Sequence, residues 1–157
     1  MSNPFKPGFC EPSRMVWCRE TRKWLRKYAN LTTKELGAML DMSPAVLSVY
    51  GYPRPDRTGG PVWLCEILGA MVAGWRPSVD WSRATFAQRE EIFLDGLKAS
   101  GLPDQEAEWF FLARNARHWR ALVDGRASSM SARIAVIGEA FVAGVIPCGL
   151  PFGEWAE

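Results

Sequence analysis

The 157-residue chain has one histidine, His118, and its four cysteines, Cys10, Cys18, Cys65 and Cys148, form no C-x-x-C pair. Ligand spacing of the kind zinc uses is therefore missing, and no metal or other cofactor is expected. There is no glycine-rich phosphate loop and no paired acid motif, so an enzyme is not expected either. Glu90-Glu91 reads as a solvated pair on an amphipathic helix. No apolar run approaches the ~20 residues of a membrane span. The opening Met1 to Pro12 is polar and broken by prolines, unlike a signal peptide. The expectation is a cytoplasmic protein with reduced thiols; nothing supports the alternative of an oxidised Cys10–Cys18 pair. The net charge of +2 is too small to argue for a nucleic acid by itself.

What the sequence does have is tryptophan and an uneven distribution of charge. Eight tryptophans in this length point to compact packing between short elements, because each can bury a large area. Arg14, Arg19, Arg22, Lys23, Arg26 and Lys27 face only Glu20, whereas acids dominate from Asp80 to Glu108. Arg114 to Arg133 is basic again, giving two basic stretches separated by an acidic helix.

The periodicity predicts an all-α protein. Residues 1–12 form an arm, 13–76 a first helical domain, 77–84 a connector, 85–147 a second domain and 148–157 a tail. In the first domain helices are expected over Arg14–Tyr28, over Lys34–Leu40 capped by Thr32 or Thr33, from Pro44 to Gly51 behind a Ser43 cap, and over Val62–Val72. The last is apolar nearly all round and should be buried. In the second domain they are expected over Thr85–Ser100, Gln105–Leu112 behind an Asp104 cap, a segment capped by Asn115, and Ser131–Ala143.

The two domains can be laid over one another. A shift of 72 pairs Thr33 with Gln105, Leu40 with Leu112, Ser43 with Asn115 and Leu47 with Trp119; a shift of 70 pairs Ile67 with Ile137 and Gly74 with Gly144. The change of shift falls in a loop, where a length difference costs little. Within the second domain, Arg114 to Arg126 reads as a helix with Trp119, Leu122 and Val123 on one face. Arg117 and Arg120 stand on another face, with Arg114 and Arg126 at the ends. Such a stretch suits a nucleic-acid groove; alone, it would also read as an ordinary solvated basic face.

Leu31-Thr32-Thr33-Lys34-Glu35-Leu36-Gly37-Ala38-Met39-Leu40-Asp41-Met42-Ser43-Pro44-Ala45-Val46-Leu47-Ser48-Val49-Tyr50-Gly51 resembles the helix-turn-helix of the lambda-repressor/Cro (XRE-like) family. Two short helices crossing steeply need a small residue at their approach, here Gly37, and apolar residues on facing sides, here Leu40 and Leu47. The resemblance implies two related helix-turn-helix bundles in one chain, acting on double-stranded DNA. In the second domain it places Gln105 at a phosphate contact, Asn115 at the recognition-helix cap, Ala116, Arg117 and Ala121 facing bases, and Arg120 at a phosphate. Arginine suits guanine through a bidentate contact, and further arginines supply salt-dependent phosphate binding. His118 reads either as a phosphate contact or as an exposed side chain.

The base-facing positions of the first domain are Pro44, Ala45 and Val49, whose side chains cannot hydrogen-bond a base. That domain could touch thymine methyls, hold backbone through Thr33, Ser43, Ser48, Arg54 and Arg57, or serve as scaffold. The resemblance implies a transcriptional regulator of repressor type, of the kind found on phages, prophages and plasmids, with no small-molecule ligand expected. The alternative is a small helical adaptor or inhibitor that binds another protein. The apolar tail around Ile146, Leu150, Phe152 and Trp155 would then mark an interface, pack back on its own helices, or form a homodimer seam.

Overall fold

A computed structural model describes residues 26–27, 30–43, 62–111 and 116–146, and all regular structure among them is helical. Six helices are present: α1 (Thr33–Leu40), α2 (Val62–Val72), α3 (Phe86–Ser100), α4 (Asp104–Phe111), α5 (Ala116–Val123) and α6 (Ala132–Val142). The expected arm, the bulk of the Arg14–Tyr28 helix, the Pro44–Gly51 helix, the loop holding Arg54 and Arg57, and the 148–157 tail lie outside the described residues.

Local chemistry explains where the helices start and stop. Of the two threonines that could cap α1, Thr32 does so: its Oγ1 accepts from the Glu35 N–H at 3.1 Å while the Glu35 carboxylate accepts from the Thr32 N–H at 3.4 Å. Thr85 and Gln88 build the same reciprocal cap on α3, at 3.2 and 2.9 Å. Asp41 closes α1 in the left-handed conformation, where the sequence predicts a tight break. Asp104 departs from its expected role as a cap. It is the first helical residue of α4, and the Pro103 carbonyl accepts the first backbone bond, from Ala107.

α6 is the axle of the fold. Every residue from Ile134 to Phe141 is buried, as is Ala132, which fits a helix apolar on all sides. α3 lies along it, α1 and α2 also pack against it, and α2 touches α4. The α3–α6 approach is backbone to backbone. A Cβ added to Gly96 would lie 2.4 Å from the Gly138 Cα, and one added to Gly138 would lie 2.6 Å from the Ile92 carbonyl oxygen. Only glycine fits at either place. α2 is buried as expected, with Trp63, Leu64, Ile67, Ala70 and Met71 in the core.

The connector between the expected domains is fastened at both ends rather than slack. Glu139 of α6, 9% exposed, accepts from Ser78 N–H (3.1 Å), Ser78 Oγ (2.6 Å) and Trp81 Nε1 (2.9 Å). Arg89 of α3 donates to the carbonyls of Trp81 (2.8 Å), Met130 (2.6 Å) and Ser82 (3.1 Å). Ile146, grouped by sequence with the apolar tail, is 5% exposed and belongs to the core.

The positions paired by the expected repeat can be compared at the level of backbone. α2 and α6 each have 11 residues, 70 apart. Both end through the same bonds: Trp75 N–H to the Ala70 carbonyl and Val145 N–H to that of Ala140, with Gly74 and Gly144 at positive φ. α1 and α4 each have eight residues, but their bounds are 71 apart, not 72. Burial agrees with 71, since it pairs Leu36 with Ala107 and Leu40 with Phe111, all buried. The correction moves Gln105 opposite Lys34 instead of Thr33.

Candidate nucleic-acid interface

α5 has the apolar back that its sequence predicts. Trp119 and Leu122 are fully buried and Val123 is half-buried. Phe93 of α3 meets Trp119 edge-on at 5.8 Å and Phe111 of α4 edge-on at 5.2 Å. Trp119 and Phe111 are themselves 6.1 Å apart. Three rings from three helices therefore set the height and rotation of α5, because edge-to-face pairs have a preferred geometry. Gly125 ends the helix, with Arg126 N–H returning to the Ala121 carbonyl at 2.8 Å.

With its back fixed, α5 turns Arg117 and Arg120 outward, and both are exposed. Arg117 stands in the first turn, and among the described residues it has no hydrogen-bond or ion-pair partner. Arg120 donates to Asp104 Oδ2 at 2.5 Å, and Arg126 pairs with Asp124 at 3.3 Å. Asp104 also accepts from Trp119 Nε1 through Oδ1, at 3.0 Å. One carboxylate thus ties the start of α4 to two consecutive residues of α5. Gln105, next to it, is exposed.

The other candidate residues are distributed as follows. His118 and Ala121 are half-buried. Thr33 is half-buried at the start of α1 and Ser43 is exposed beyond its end. Arg114, Asn115, Ala45, Ser48, Arg54 and Arg57 lie outside the described residues. Of the described candidates, Gln105, Arg117, Arg120 and Arg126 are exposed on α4, α5 or the turn after it, and Thr33, Ser43 and His118 stand on or beside other parts of α1 and α5. Sequence reasoning missed Asp104 as a partner of α5. A carboxylate just before Gln105 was visible, but its contact spans 15 residues and depends on the helix crossing.

A shallow groove of about 300 Å³ lies elsewhere, lined by Ala38 and Met39 of α1, residues 77–82 and Val136. Its one titratable lining group is Asp80, whose carboxyl is held below the usual range chiefly by a hydrogen bond from the Ser82 hydroxyl. Among the described residues no group of three or more His, Cys, Asp or Glu could hold a metal ion, and no helix is long and apolar enough to cross a membrane. In comparisons with known proteins, the chain matches no family model, curated protein or solved structure.

Proposed function

We propose that the protein is a sequence-specific duplex-DNA-binding regulator of transcription, with α5 as its groove-reading helix. The observation that carries this reading is the division of α5 into two faces. Trp119 and Leu122 are locked into an aromatic core, while Arg117, unpaired among the described residues, projects from the first turn. A helix held from behind and basic in front can enter a major groove without losing its packing. Arg117 would read a guanine edge, and Gln105, Arg120 and Arg126 would contact phosphates.

The pairing of helices supports a second unit in the same chain. A two-fold relating α1 and α2 to α4 and α6 would convert the α1–α6 packing into the α4–α2 packing and map α2–α6 onto itself. All three packings are present. On this reading a single chain would offer two DNA-contacting ends, and the site it selects would hold two half-sites in successive major grooves, about 34 Å apart. Repression on a mobile genetic element, in a cytoplasm, is the setting this reading implies.

The competing reading, a protein-binding adaptor, draws on the groove beside α1, where Val79 is 44% exposed. Selection of bound duplexes from a random pool decides between them. Enrichment of one motif, or of two spaced by a helical turn, is expected for the regulator. A folded protein that retains no duplex at low salt would overturn this function.

A further inference from the structure

Asp104 is the acid that meets the basic face of α5. Its Oδ1 accepts the Trp119 indole N–H at 3.0 Å, and its Oδ2 accepts from Arg120 Nη2 at 2.5 Å. The two bonds differ in accessibility. Trp119 is 1% exposed, so its indole can neither move nor exchange partners readily. The side chains of Arg120 and Asp104 are 47% and 59% exposed, so the ion pair is open to water and to other anions. A carboxylate and a phosphate oxygen make the same charge-assisted contact to a guanidinium, and each can replace the other.

Resting on the proposed function, we infer that Asp104 is an internal competitor for phosphate. Anchored by Trp119, it holds Arg120 in the free protein, and a phosphate of the duplex must displace it. The anchoring gives the device its direction. When Arg120 swings to a phosphate, Asp104 stays on the indole and remains near as a negative charge. That arrangement lowers affinity for every duplex by the same factor, so that only a site where Arg117 also finds a favourable base is bound firmly. Asp104 is a positioning residue, and its expected effect is on the electrostatic part of binding.

The test is D104N in the full chain, because an asparagine carbonyl can still accept from Trp119 while its neutral amide releases Arg120. Binding to a mixed-sequence duplex is measured by fluorescence anisotropy from low to moderate salt. D104N is expected to bind up to about fivefold more tightly, the equivalent of one exposed ion pair. Its plot of log affinity against log salt should steepen by up to about 0.9, the value for one further net positive charge facing the phosphates once the Asp104 carboxylate is gone. R120Q should cancel both changes when combined with D104N, and should cost more in that background than alone. A thermal melt of each variant, and the R120Q pair of measurements, separate a folding defect from the electrostatic effect. If the wild type binds duplex and D104N leaves affinity and slope unchanged, or lowers them, the competitor role is wrong and the function stands. If the folded wild type binds no duplex at low salt, both are overturned.

Discussion

Among the described residues, Glu139, Arg89 and Asp104 make side-chain hydrogen bonds across 15 or more residues of sequence, whereas Asp80 acts within its own turn. Glu139 sits among apolar neighbours in Ala132–Val142, and a lone carboxylate in such a run signals a buried partner, though not which one. Its donors, Ser78 and Trp81, come from a segment about 60 residues earlier. E139A would leave the Ser78 N–H and the Trp81 indole N–H without acceptors, and should cost about 2–3 kcal/mol in denaturant unfolding. E139Q keeps one accepting oxygen and should lose less. Asp80 makes a pH-dependent contribution. The Ser82 hydroxyl, donating at 2.5 Å, lowers its carboxyl pKa, with help from the Ser82 N–H and the charge of Arg83. Because the folded pKa is the lower one, the turn adds stability above the ordinary pKa of 3.8, and that stability is lost as pH falls through the folded value. S82A should move the Asp80 carboxyl resonance titration upward, towards the ordinary range.

At the level of elements, helix ends were legible because caps are local. Val62–Val72 matches its expected bounds, and Thr32, Asp41 and Gly144 act within a turn of their position, whereas Thr85, expected inside its helix, caps it and Asp104, expected as a cap, lies inside. The register of the expected repeat was legible only to within a residue. Apolar residues at 111 and 112 could each align with Leu40, and the helix starts at Thr33 and Asp104, 71 apart, align it with Phe111. Helix pairing was not legible. Gly96 and Gly138 are ordinary interior glycines in sequence, and only the 2.4 Å that a Cβ on Gly96 would leave to the Gly138 Cα shows that α3 and α6 touch backbone to backbone. G138A should therefore behave unlike a helix-stabilising glycine replacement. It forces the axle helix away from α3 and should destabilise by about 1–3 kcal/mol or more, read from the shift in urea midpoint.

Across the whole molecule, helices from either side of the expected connector pack on one another. α1 and α2 rest on α6, α2 reaches α4, and Glu139 holds the connector against the same helix. The periodicity of the sequence predicts helices but not how they pair, since apolar faces do not name their partners. The candidate interface was legible in outline: the apolar and basic faces of α5 lie as the spacing predicts, because that depends on helical geometry alone. The restraint of Arg120 by Asp104 depends on how α4 crosses α5, which no local pattern encodes.

The claim that α5 reads DNA is tested most directly by titrating a selected duplex with wild type and R117A at several salt concentrations. The account predicts wild-type affinity that falls steeply with salt, and a loss of about tenfold or more in R117A with unfolding unchanged. Equal binding by R117A, or no salt-dependent duplex binding by the folded wild type, would contradict it.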